Sequence, residues 1–168
     1  MYEKDDLVSE LLVDNSARRT RQKSLDIRVI VGNPPYSVGQ KSANDDNANV
    51  LYPFLDERIR ESYAKNTKYT NKKSIYDSYI RAIRWASDRV KNKGVISFVS
   101  GSGFLEKPIM DGVRKCLFDE FSSIFVINLR GDIRKNMLSK GKAKEGQNIF
   151  GSGSMTGIAI SILVKNQG

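Results

Sequence analysis

Asn33-Pro34-Pro35-Tyr36 follows directly on the apolar run Ile27-Arg28-Val29-Ile30-Val31-Gly32, and these four residue types suit one kind of chemistry. Two prolines fix φ and remove two N–H donors, so the backbone there is stiff and its carbonyls are left free. The Asn33 side-chain oxygen and the Pro34 carbonyl can then accept hydrogen bonds from one planar NH2 group. Tyr36 can lie flat against the ring that bears that amine. Such a corner holds an exocyclic nitrogen still while its lone pair attacks. Accepting both N–H protons favours a pyramidal nitrogen, and these bonds strengthen as positive charge develops in the transition state. No side-chain base of high pKa is required. A turn that merely closes a strand, with Tyr36 packed on its own loop, is the purely structural alternative.

Composition narrows the remaining chemistry. The 168 residues suffice for one domain with a real core. No apolar run approaches the ~20 residues of a membrane span, and the charged N-terminus lacks a signal-peptide core. Cys116 is the single cysteine, which precludes an internal disulfide and suits a reducing cytoplasm. Without histidine, a histidine-based triad is impossible, and one thiol alone argues against a zinc site. No metal is expected. The formal charge of +9 points to a polyanionic partner, most simply nucleic acid.

The Asn33–Tyr36 tetrapeptide resembles motif IV of the amino-methyltransferases, which use S-adenosylmethionine (SAM) to methylate adenine N6, cytosine N4 or a glutamine amide. More narrowly, Asn15 with Arg18, Arg21-Gln22, Asp26-Ile27 and Gly32 through Ser37 is similar to the methyltransferase segment of large single-chain restriction–modification enzymes. The similarity runs over roughly residues 15 to 165. It implies an α/β fold with a partial Rossmann-like methyltransferase sheet, flanked by helices. The four strands here would then be its fourth to seventh, the last entering as an antiparallel partner.

The elements that must position the corner read as follows. Residues 1–24 form a charged helical lead-in, with Leu7, Leu11 and Leu12 at helical spacing, and residues 25–168 form the catalytic half of a methyltransferase domain. Strands are expected at Ile27–Val31, Val95–Ser100, Ile124–Leu129 and Ile158–Val164. Ser37–Asn49 is polar and without period, which predicts a mobile loop. Leu51–Tyr63 holds a short helix. In Ser74–Lys91 an apolar stripe of Tyr76, Tyr79, Ile80, Ile83, Ala86 and Val90 has helical period. Asp77, Arg81, Arg84, Asp88 and Lys91 form its opposite face, with acid–base pairs four residues apart. Ser74 and Asp77 suggest a capping box, with Asp77 paired to Arg81. Pro108–Phe121 is a second amphipathic helix.

SAM binding needs a glycine-rich turn after a strand and an acidic residue for the ribose hydroxyls. Before Asn33 the only glycine is Gly32. The expectation is therefore a catalytic half without its cofactor half, inactive alone and with no cofactor bound to it, SAM serving the full-length enzyme. A rival reading makes Gly101-Ser102-Gly103, after Val95–Ser100, the SAM loop. It lacks a carboxylate before the glycines, and the next strand passes through Asn128 rather than an acid.

The resemblance assigns further roles. Asn148-Ile149-Phe150 matches motif VIII, so Phe150 would stack on the extruded base opposite Tyr36; a core plug is the alternative. Tyr76 and Asp77 match motif V, which helps form the cofactor's adenine pocket. Lys65, Lys68, Lys72 and Lys73 gather around Tyr63 and Tyr69, and Arg134, Lys135, Lys140, Lys142 and Lys144 precede Phe150. Lys72, Lys73, Lys140 and Lys142 are the candidates for phosphate contact, with a solvated basic surface as the alternative. The reading is a DNA adenine-N6 methyltransferase acting on a flipped base. An RNA adenine or a protein glutamine as acceptor, or a non-catalytic module that self-associates through Ile27–Val31 as a homodimer, are the alternatives.

Overall fold

The computed structural model describes residues 13–35, 52–131 and 156–167. Helix α1 (Val13–Ser24) leads into β1 (Val29–Gly32). Helix α2 (Pro53–Ile59) starts on a proline at its first turn, where a missing N–H costs nothing, and continues as a π-helical turn over Arg60–Ala64. A 3-10 turn (Lys73–Tyr76) precedes α3 (Ser78–Arg89), which feeds β2 (Lys93–Gly101). Then come the four-residue α4 (Gly103–Glu106), a 3-10 turn at Pro108–Met110, and α5 (Asp111–Glu120). Strands β3 (Ser123–Arg130) and β4 (Ile158–Asn166) complete the sheet.

The strand order is β1-β2-β4-β3, with β1 parallel to β2 and β4 antiparallel to both β2 and β3. This is a mixed α/β sheet flanked by helices, and the last strand does enter between its predecessors as the antiparallel member. Because β4 runs opposite to its neighbours, β1, β2 and β3 all point the same way. Their carboxyl ends lie along one edge.

The period-2 alternation of strands decides which face is covered. Ile30, Ile96, Phe98 and Leu163 turn towards the helices and pack with Ile80, Ile83, Val113 and Leu117 in one core. On the opposite face Val29 and Val31 are 64% and 75% exposed, and Phe125 and Ile127 are exposed too. Among the described residues the helices cover only one side.

Three of the sequence expectations change at β1 and at the helix before β2. β1 opens at Val29 rather than Ile27, although the Arg28 carbonyl already accepts the Val95 N–H at 2.8 Å. The helix expected from Ser74 starts at Ser78, because Asp77 is extended (φ −62°, ψ 146°). Arg84, expected on the solvent face, is 2% exposed. Its guanidinium bonds both Glu120 carboxylate oxygens at 2.7 and 2.8 Å and Asp88 at 2.8 Å, and lies 5.1 Å over the Tyr63 ring. Excellent geometry and several partners are what a buried guanidinium requires. Residues 1–12 and the loop expected at Ser37–Asn49 fall outside the described residues.

Candidate active site

The diproline corner sits where β1 ends. Gly32, the last residue of β1, pairs in register with Phe98, and Asn33 follows it at the carboxyl edge of the sheet. A Cβ on Gly32 would lie 3.2 Å from the Phe98 ring, so the strand end approaches that ring closely. Asn33 and Pro35 are exposed and Pro34 is half-buried. Asn33 is thus outside the hydrophobic core. Tyr36 lies outside the described residues.

Topology brings a second segment to the same edge. Helix α3 must run back to the start of β2, so its first turn stands beside the strand ends. There Asp77 occupies the N-cap position without a side-chain capping hydrogen bond. Asp77 is 7% exposed, and its Oδ1 has no hydrogen-bond partner. Burial pushes its pKa up, against the amides of Tyr79 and Ser78 and the charges of Lys107 and Arg81. The expected Asp77–Arg81 pair is absent: Arg81 instead makes a two-point pair with Asp56 at 2.7 and 2.9 Å. Tyr76 is half-buried and packs against the core, and Tyr79 is fully inside it, as its place on the apolar stripe required.

The turn leaving β2 is packed rather than open. Its Ser102 N–H donates to the Gly157 carbonyl at 2.8 Å, and Arg114 donates to the Phe104 and Lys107 carbonyls at 2.9 and 3.0 Å. A Cβ on Gly103 would come within 3.1 Å of the Lys107 chain and 3.2 Å of the Tyr79 hydroxyl. That filling suits a tight turn, the bland alternative to a cofactor loop. Ser100, buried just before it, leaves its hydroxyl oxygen without a partner. Lys107, whose charge reaches Asp77, was missed in the sequence; the short Glu-Lys-Pro break between two helical pieces is the signal that marks it.

Of the basic candidates, Lys73 is exposed, whereas Lys72 turns inward and donates to the Ala64 carbonyl at 2.6 Å. Phe150, Lys140 and Lys142 lie outside the described residues, as do Arg134, Lys135 and Lys144. Among the described residues no group of three or more acidic, cysteine or histidine side chains could hold a metal. No helix there is long and apolar enough to cross a membrane.

Comparison with known proteins agrees with the fold. The family described as Eco57I restriction-modification methylase matches residues 7–134. A nuclease-deletion mutant of the Type ISP restriction-modification enzyme LlaGI, solved with a DNA substrate mimic, is 49% identical with a TM-score of 0.82. The match covers 93% of this chain and 15% of that one. The ATP-dependent Type ISP enzyme LlaBIII bound to DNA is 40% identical (TM-score 0.80), covering 99% of this chain and 11% of that one. A DrdV–DNA complex is 35% identical (TM-score 0.79), covering 92% and 15%. The chain therefore spans less than a sixth of each of these three solved chains. No curated protein matches it significantly.

Proposed function

The chain belongs to the Eco57I restriction-modification methylase family, and on that premise we propose that it supplies the amine-holding corner of a DNA adenine-N6 methyltransferase. The single observation that carries the reading is an exposed Asn33 directly at the carboxyl end of a parallel strand, with a diproline behind it. Asn33 Oδ1 and the Pro34 carbonyl accept the two N–H bonds of the target amine and orient its lone pair outward. Tyr36 and Phe150 stack on the two faces of the extruded base. The solved relatives are DNA complexes, and the excess of positive charge supports the same partner here.

SAM supplies the methyl group when bound. Tyr76 and Asp77 are the residues of this chain suited to its adenine ring. The unpartnered, buried Asp77 Oδ1 fits that role, being an acceptor that lacks a donor. Methyl transfer belongs, on this reading, to the longer polypeptide.

Asn33→Ala in the full polypeptide carrying this sequence removes one of two acceptors that tighten in the transition state. Loss of a comparable preorganised group elsewhere costs about 10²–10³ in turnover. Tritiated methyl transfer to plasmid DNA, with RNA and protein acceptors in parallel, reads the effect. Wild-type turnover in the variant, or transfer to RNA or protein in place of DNA, sinks the proposal. The alternative, a non-catalytic module in which two copies pair along β1, is favoured by the place of that strand at the end of the described sheet and by the exposed Val29 and Val31.

A further inference from the structure

The loop between the π-helical turn and α3 is built with unusual care for a surface segment. Thr67 donates its hydroxyl hydrogen to Asp111, at the start of α5, and also approaches the Ile109 carbonyl at 3.3 Å. The Lys68 N–H donates to the other Asp111 oxygen at 3.3 Å. Asn66 donates to the Ser62 carbonyl at 2.9 Å and accepts from Lys115 at 3.1 Å, and Lys72 folds back onto Ala64. Gly112 fits so tightly beneath that an added Cβ would lie 2.7 Å from the Thr67 nitrogen. One carboxylate and one inward lysine therefore hold the loop's shape.

What the loop leaves outside is uniform in kind. Lys65, Lys68 and Lys73 are exposed, and none forms an ion pair among the described residues. Tyr69 stands among them with its ring 47% exposed. Asp111, which clamps the loop, is already spent on Thr67 and on the amides of Lys68 and Gly112. Because α5 runs back towards the start of β3, Asp111 and the loop clamped to it lie at the carboxyl edge, where Asn33 ends β1.

We propose that this loop is a nucleic-acid docking site, in which Lys65, Lys68 and Lys73 contact the phosphates of the strand entering the corner and Tyr69 packs on a nucleotide face. It rests on the reading of DNA as the partner and names the surface that meets it. Fixed cations against a phosphate chain give sequence-blind, salt-dependent affinity, and an exposed ring adds contact that any base can use. Lys72, which the sequence groups with these residues, has no part in it, since its ammonium is bound to the protein's own backbone.

The test compares wild-type full polypeptide with the Lys65→Ala/Lys68→Ala/Lys73→Ala variant and, separately, Tyr69→Ala. Binding to a fluorescent duplex is followed by anisotropy across a salt series, with circular dichroism confirming the fold. Each lysine that meets a phosphate contributes about 0.9 to the slope of log affinity against log salt. The triple variant is expected to be shallower by about two to three, with affinity at low salt reduced at least about tenfold. Tyr69→Ala should weaken binding without changing the slope. An unchanged slope and affinity in the triple variant reduces the patch to a solvated surface and overturns the inference alone. Asn33→Ala, run alongside, should lose methyl transfer while keeping the wild-type salt slope, since Asn33 meets no phosphate; if it keeps transfer, the catalytic reading falls instead. A full polypeptide with no affinity for DNA at any salt overturns both.

Discussion

At Asp77 a helix-capping position and a buried charge coincide. Because burial raises this carboxyl's pKa, the folded protein holds the proton more tightly than the unfolded chain. The associated stability is fully present below the ordinary value of 3.8 and is lost as pH rises through the raised folded value. Asp77→Asn keeps a good N-cap residue and removes the charge. Thermal melts should therefore show the variant more stable than wild type at pH 7, the two converging near pH 3. A lower melting temperature at pH 7 would show that the charge is held by a partner. The sequence marks Asp77 correctly as the cap but misassigns its partner. Arg81 goes to Asp56, 25 positions away, and Arg84 adds Glu120, 36 positions away, to the Asp88 pair that the four-residue spacing predicted. The place of Asn33 at a strand end was legible, because an apolar run closed by two prolines restricts the backbone strongly.

Elements made of continuous apolar runs were readable and those made by contact were not. β2, β3 and β4 fall within two residues of their expected bounds, since Val, Ile and Phe runs bounded by Gly, Lys and Asn leave little choice. The helix expected over Pro108–Phe121 breaks instead into a 3-10 turn and α5, with Pro108 opening the turn. The π-helical turn at Arg60–Ala64 left no periodic trace either, yet it carries Tyr63 and Ala64 into the core against α5. Gly112 is the point at which these two elements meet. Gly112→Ala forces a methyl group against the Tyr63 carbonyl and the Thr67 nitrogen, neither of which is the end of a flexible side chain. Overpacking of this kind costs typically about 1–3 kcal/mol. Urea denaturation should show a lower midpoint, and the loop at Lys65–Lys73 should become more sensitive to protease. A wild-type midpoint would mean that α5 can slide away without loss.

Over the whole molecule, the uneven covering of the sheet matters most. Helices cover one face over β2 and β4, while Val29 and Val31 on the other stand open at the end strand. Sedimentation of the 168-residue chain should show concentration-dependent association, and Val31→Lys should move it towards monomer, since a charge on an end strand blocks pairing. A wild-type chain that is monomeric at all concentrations would remove self-pairing from the reading. The placement of β4 has a different consequence. The strand made last joins the two made before it, pairing with β2 at Gly101↔Ile158 and with β3 at Val126↔Ser161. During synthesis, β3 must therefore wait unjoined to β2 and β1 until residues 158–166 leave the ribosome. At about 5–20 residues per second that delay lasts seconds, and in it the nascent chain is most in need of a chaperone.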